Sequence, residues 1–275
     1  MEVYGVDFTS RPRAAKPITR LRCRLEGGVL RAQGLDELTD FDAFEAMLDK
    51  PGPWIAGLDF PFGLPRKFIE RIRWPGSWAG YVEHAARLGK AGFRAALEDY
   101  RRNRPPGDKE HRRTTDIAAG SISPQKLYGT PVALMFFEGA PRLVRAGVTI
   151  PHMQDGDPDR IVVEAYPGAL ARKLIGRSSY KNDMRARQTP AQHEARRKLL
   201  EELTAGARRD DLGFAVVADQ DLCDDPGGDA LDALLCAVQA AWAWNHRAES
   251  YGAPEHVDPL EGWIVDPPAT CRPRM

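Results

Sequence analysis

Two segments of this chain are near-copies of each other, and both carry an acid where a strand should be apolar: Gly5-Val6-Asp7-Phe8 and Gly57-Leu58-Asp59-Phe60. A third apolar run, Ile161-Val162-Val163-Glu164, ends in a glutamate, with Tyr166 close behind. Aspartate is depleted in strands. A buried carboxylate without a partner costs several kcal/mol or takes up a proton. Acids on three core-type strands therefore call for a shared compensator, and a bound divalent cation is the simplest one.

A further pair lies on the most clearly helical stretch, from residue 229 to about residue 246. Asp229 and Asp232 share one face by their spacing, while Leu231, Leu234, Leu235, Val238 and Trp242 cluster on another. Small residues, Ala233, Cys236 and Ala240, continue the acidic stripe. This pattern predicts a helix that packs by its Leu/Trp stripe and holds its acids toward a crowded site. The competing explanation is local: after Gly227-Gly228, Asp229 suits an N-cap and Asp232 the favourable end of the helix dipole. Oxygen ligands with no Cys or His among them select Mg²⁺ or Mn²⁺ over zinc. Two such ions held about 3.5–4 Å apart serve phosphodiester hydrolysis, activating water and neutralising the leaving oxygen.

Around these acids the chain reads as α/β. Strands are expected at residues 3–8 and 18–25, with a Gly27-Gly28 turn into 29–33. Leu35-Asp36-Glu37-Leu38 leads into a helix marked by Phe41, Phe44, Met47 and Leu48. Pro51-Gly52-Pro53 ends it, and a buried strand follows at 54–60. From about residue 66 to residue 158 the character changes to a mainly helical insertion. Beyond it come a strand at 161–165, helices at 168–175 and 190–203, a segment at 213–218 that pattern leaves between strand and helical turn, the acidic helix, and a short element at 262–265. The order implies one domain with a mixed sheet.

Composition narrows the class. The chain has 275 residues, 43% hydrophobic and 28% charged, which excludes a mostly disordered polymer. Lys+Arg 39 against Asp+Glu 39 leaves no net charge, so the overall field does not single out a nucleic acid or a membrane. Basic residues are nonetheless concentrated at Arg101, Arg102, Arg104, Lys109, Arg112 and Arg113, and again at Arg185, Arg187, Arg196, Arg197 and Lys198. Such clusters suit a phosphate backbone, and Trp74, Trp78 and Tyr81 would offer stacking faces; solvated helix faces and a tryptophan core are the plainer alternative. Cys23, Cys223, Cys236 and Cys271 have no CxxC spacing, so neither a disulfide framework nor a thiolate zinc site is expected. The chain opens on a strand without a basic-then-apolar leader, and its longest apolar run is too short for a membrane span. A cytoplasmic location is the expectation.

In these residues the sequence resembles the ribonuclease H-like superfamily, and more closely the domain-of-unknown-function 429 family of predicted nucleases. The resemblance rests on Gly5-Val6-Asp7-Phe8-Thr9, Gly57-Leu58-Asp59-Phe60-Pro61-Phe62-Gly63, Val163-Glu164-Ala165-Tyr166-Pro167, Lys181, Asp229-Ala230-Leu231-Asp232-Ala233 and Leu260-Glu261-Gly262-Trp263-Ile264. It implies a ribonuclease H-like mixed five-stranded sheet flanked by helices. It also implies that Asp7 bridges two Mg²⁺ or Mn²⁺ ions, joined by Asp59 from the fourth strand and Asp232 from the last helix, with Asp229 beside it. Glu164 departs from the better-studied members, as a ligand or as a neighbour of the ligands. The resulting expectation is a nuclease with Asp7, Asp59, Glu164 and Asp232 as catalytic carboxylates and Asp229 among the ligands. Lys181, Arg112, Arg113 and Asp116 are expected to contact substrate, a nucleic acid. Two rivals remain: an inactive nucleic-acid-binding or scaffold protein, and an actin-like phosphotransferase, whose loop Asp7-Phe8-Thr9-Ser10 echoes but whose glycine it lacks.

Overall fold

The hairpin turn at Gly27-Gly28 is real, and the sheet grows from it. In the computed structural model, which describes residues 1–182, 185–206 and 208–268, β1 (Glu2–Asp7) pairs antiparallel with β2 (Ile18–Glu26), which pairs antiparallel with β3 (Val29–Leu38). Helix α1 (Phe41–Leu48) follows, its N-terminus capped by Asp40. Strand β4 (Trp54–Leu58) then pairs parallel with β1 on the side away from β2. The helices α2 (Arg66–Arg71), α3 (Trp78–Arg102), α4 (Thr114–Ala118) and α5 (Val132–Ala146) make up the insertion. Next come β5 (Val148–Thr149), β6 (Asp157–Glu164), α6 (Pro167–Ile175), α7 (Pro190–Thr204), α8 (Arg208–Leu212), β7 (Ala215–Val217) and α9 (Asp229–Asn245). The strand order is β5-β6-β4-β1-β2-β3-β7, so the sheet is mixed. Of Arg185 only the backbone is described, and Cys271 lies outside the described residues; Cys23, Cys223 and Cys236 are buried thiols.

The sheet has seven strands where five were expected, because β5 and β7 add two and three residues at its two edges, too few to leave a pattern. Residues 215–217 are strand, which resolves the ambiguous segment. Strand β3 runs on to Leu38, so Leu35-Asp36-Glu37-Leu38 extends the sheet and does not lead into the helix. There Asp36 accepts from Arg20 and Arg22, whose charges hold it at the open face.

Side-chain alternation assigns each strand residue to one of two cores. Val3, Ile55, Ile161 and Val163 join the layer formed with α6, α7 and α9. Tyr4, Val6, Ala56, Leu58 and Val162 join the opposite layer, with Phe44 of α1, Phe68 of α2, Phe93 of α3 and Phe136 of α5. The insertion is thus one of the two helical layers. Its tryptophans are structural: the Trp78 indole donates to the Phe62 carbonyl at 2.7 Å, and the Tyr81 hydroxyl, fully buried, donates to the Leu260 carbonyl at 2.6 Å. Trp74 packs against Phe68, His84 and Phe93. Trp78 and Tyr81 are buried and not available to stack on bases, and Trp74 is half-buried. No helix among the described residues is long and apolar enough to cross a membrane.

Candidate metal centre

Alternation also decides which acids can meet. Gly5 and Asp7 fall on the same side of β1 as Val3; Gly57 and Asp59 fall on the same side of β4 as Ile55, and Gly5 lies beside Gly57 in register. That side carries α9. A Cβ at Gly5 would stand 1.8 Å from the Ala233 carbonyl oxygen, and one at Gly57 would stand 2.3 Å from that of Cys236. The near-repeat thus has a mechanical meaning, since each glycine leaves the helix backbone room to lie on the sheet two residues ahead of each acid. The small stripe of α9 faces the strands, and the Leu/Trp stripe is buried as well, so the helix is enclosed nearly all round. Its N-cap is Gly228, in the left-handed region at φ 78°. Asp225 accepts from the Gly227 and Ala230 amides, taking the capping role expected of Asp229.

Close seating of α9 brings Asp7, Asp59 and Asp232 together, each offering a carboxylate oxygen within 4.8 Å of the others. Asp232 is fully buried. Its oxygens accept from the Tyr180 hydroxyl at 2.5 Å and from the Lys181 ammonium. Asp229, one turn earlier, is half-buried at the edge of the group. Burial pushes the Asp59 carboxyl up to about 7, with Asp232 and Glu164 adding repulsion and Lys181 opposing it. Burial likewise raises Asp7 well above the usual carboxylate range, reinforced by Asp232, Asp229 and Asp59. For Lys181, burial disfavours the ammonium, but Asp232, Tyr180 and Asp7 outweigh it and hold the charge in place. One lysine against three close carboxylates leaves the group short of positive charge. That deficit, with an all-oxygen donor set, fits a hard divalent cation.

Glu164 is not part of this group. It pairs in register with Leu58, one residue short of Asp59, and a one-residue offset turns a side chain to the other face. There it is buried against Arg113, whose guanidinium donates to it at 2.5 and 2.8 Å, and it accepts from the Phe62 amide at 2.9 Å. Arg113 also holds Asp116 by two bonds and donates to the Glu261 carbonyl. Burial opposes the Arg113 charge, yet Glu164 and Asp116 more than offset it. The third strand acid is therefore compensated by an arginine. Arg113 and Asp116, expected at the substrate, are each 1% exposed and committed to this triad, whereas Arg112 is exposed and Lys181 reaches the acid group.

Much of the basic character is also neutralised locally. Lys67, Arg71 and Arg104 converge on Asp108. Arg196 is buried and donates to the Cys223 and Tyr180 carbonyls, fixing the loop that carries Tyr180 and Lys181. The sequence reading passes over Tyr180, whose only trace is the run Tyr180-Lys181, and counts Arg196 in a phosphate-binding cluster, whereas it is buried and holds this loop. A cleft of about 240 Å³ opens beside Asp59, between the ends of β4 and β6 and the insertion.

The fold and this centre define the class: a mixed α/β protein in which two parallel strands and a buried helix bring three carboxylates together. The family described as protein of unknown function (DUF429) matches residues 5–257, and the chain belongs to that family. The match takes in all the acids and the insertion and stops before the closing Leu260-Glu261-Gly262-Trp263-Ile264. No curated protein and no solved structure matches the chain.

The raised Asp59 carboxyl has a measurable sign. It binds its proton more tightly folded, at about 7, than unfolded, near 3.9, so metal-free protein is expected to lose stability as pH rises from about 4 through about 7 and to level off above. Thermal melts in EDTA across that interval should show this slope, and Asp59→Asn should make it shallower, the raised Asp7 carboxyl keeping a share of its own. A Mg²⁺ ion held by these acids would compete with the same proton, so any stabilisation it gives should grow over the same interval; a Mg²⁺ effect flat with pH would speak against a cation at Asp59.

Proposed function

We propose that this chain is a Mg²⁺- or Mn²⁺-dependent phosphodiesterase, most simply a nuclease, with a ribonuclease H-like fold. The observation that carries the reading is the convergence of Asp7, Asp59 and Asp232 from the first strand, the fourth strand and the last long helix. That is the distribution of acids implied by the ribonuclease H-like resemblance. The five strands β6-β4-β1-β2-β3 form a mixed core sheet of the expected size, to which the edge strands are additions.

Asp7, Asp59 and Asp232 would hold one cation directly, and Asp229, whose charge acts on Asp7 and Asp232, would help to hold a second. When bound, such ions supply an activated water and charge neutralisation at the leaving oxygen. The chain's own groups do the rest. Tyr180 and Lys181 fix the orientation of Asp232 by donating to its two oxygens. Lys181 also sets a positive charge beside the position of the scissile phosphate, where charge develops as water attacks phosphorus and the opposite P–O bond breaks. The enclosed α9 excludes water from behind the acids.

The test is calorimetric titration of Mg²⁺ and Mn²⁺ into wild type and Asp7→Asn, with and without a short oligonucleotide, followed by cleavage assays on DNA and RNA. Wild type is expected to bind the ions with millimolar or tighter affinity and Asp7→Asn to lose at least about tenfold, together with about a hundredfold or more of cleavage. Unchanged binding and cleavage in Asp7→Asn would sink the proposal. Retained strand binding without metal or cleavage would favour the scaffold reading.

A further inference from the structure

The cleft beside Asp59 differs in character from the acid group it adjoins. Its walls are Phe60, Pro61, Ile122, Val132, Met135 and Tyr166, apolar or aromatic. The charged residues at its base are Arg113, Asp116 and Glu164, and every nitrogen of the Arg113 guanidinium is already donated to those acids or to the Glu261 carbonyl. Apart from Asp59, which it shares with the acid group and which repels an anion, the cleft offers no uncommitted charge. A phosphate would gain nothing there, and its occupant must be neutral.

Size narrows the occupant further. At about 240 Å³ the cleft falls below the range of about 300–1,000 Å³ that takes drug-sized ligands, so it accommodates one ring system and not a stacked base pair. Tyr166 is braced from behind by the Arg172 guanidinium, 5.4 Å from its ring centroid, which holds the ring as a fixed wall. Ile122 lines the cleft and is 43% exposed, a large apolar side chain open to solvent. Asp59 belongs to both the cleft and the acid group, so whatever fills the one is within reach of whatever is held at the other.

From this juxtaposition we infer that the cleft receives a single unpaired nucleobase, so that the substrate is a single strand or a frayed end and not an intact duplex. The inference rests on the phosphodiesterase reading: a neutral planar ring joined to an anionic phosphate is a nucleotide unit. A base held in a duplex cannot enter, because its pairing edge is occupied and its neighbours are stacked on both faces. The insertion thus selects the strand, while β1, β4 and α9 address its backbone.

The experiment is fluorescence anisotropy in Ca²⁺, an oxygen-seeking ion of looser geometry than Mg²⁺. The probes are a labelled short oligonucleotide, the same backbone with abasic sugars, and the blunt duplex, each in ribose and deoxyribose form. The intact single strand should bind tighter than the abasic strand and the duplex by about five- to more than a hundredfold, the range that stacking one base commands. Val132→Trp, which fills the cleft, should erase that difference and leave abasic binding unchanged. Ile122→Trp, at an exposed position, repeats the test without adding bulk to the interior. Equal binding of intact and abasic strands, or full discrimination retained in both variants, overturns the inference. Mg²⁺ titration of the same preparations reads the acid group separately. Metal binding without base discrimination overturns the cleft alone; base discrimination without metal binding upholds the cleft and overturns the metal centre.

Discussion

Replacing Arg113 with alanine is expected to lower the free energy of unfolding by about 3–5 kcal/mol, read as a drop in urea midpoint at unchanged slope. The guanidinium is 1% exposed and neutralises Glu164 and Asp116, themselves 3% and 1% exposed. Its loss would strand two carboxylates in an interior that offers Glu164 only the Phe62 amide as a remaining partner. Lysine should rescue poorly, since a single ammonium cannot reproduce the forked bonds to both acids. A triple variant, Arg113→Met with Glu164→Gln and Asp116→Asn, should recover much of the loss, because removing a buried charge set as a whole costs far less than breaking it. If Arg113→Ala alone changes stability by less than about 1 kcal/mol, the triad is hydrated in solution and the burial assigned to it is wrong.

The second large effect lies at the glycines beneath α9. Gly57→Ala would place a methyl 2.3 Å from the Cys236 carbonyl oxygen, and Gly5→Ala one at 1.8 Å from that of Ala233. Both obstacles are helix backbone, which cannot rotate aside, so the helix must lift or the strand must yield. Overpacking of this kind costs about 1–3 kcal/mol, occasionally more. The distinctive consequence is functional. Lifting α9 carries Asp232 away from Asp7 and Asp59, and displacements near 1 Å cost about a hundredfold where geometry matters. Metal affinity and any cleavage should therefore fall further than stability alone explains. Gly76→Ala is the control, since nothing lies within 4 Å of a methyl there. Equal losses of stability and metal binding at all three positions would contradict the seating of the helix.

The acids were legible because a carboxylate in an apolar run is conspicuous, and Asp7, Asp59 and Asp232 needed only the fold to bring them together. Glu164 turns away from the other acids, and its direction is hidden in the sequence for a physical reason. Strand β6 is covered on both faces, so Ile161, Val162 and Val163 form an unbroken apolar run with no alternation to reveal which way Glu164 turns. Its compensator, Arg113, sits 51 residues earlier in a stretch rich in arginine, where nothing local separates a buried guanidinium from a solvated one. The capping role of Asp225 was hidden behind two glycines that made Asp229 the obvious candidate. The insertion reads as mainly helical because its aromatic residues are spaced for helices, and helix spacing does not say which layer of the molecule those helices complete. Glycine spacing carries a further signal: the glycine two places before Asp7 and the one two places before Asp59 mark where a helix backbone lies on the sheet.

The dependence of the centre on α9 bears on the order in which the molecule comes into being. Strands β1 and β4 have left the ribosome long before residues 229–245, yet their acids acquire a third member only when that helix settles on Gly5 and Gly57. Until then the two glycines floor an open groove and the acids remain solvated and ordinary. A chain that has not yet reached, or has lost, residues 229–245 would thus hold most of the sheet without the three-carboxylate group, and whatever chemistry that group supports waits on the one helix.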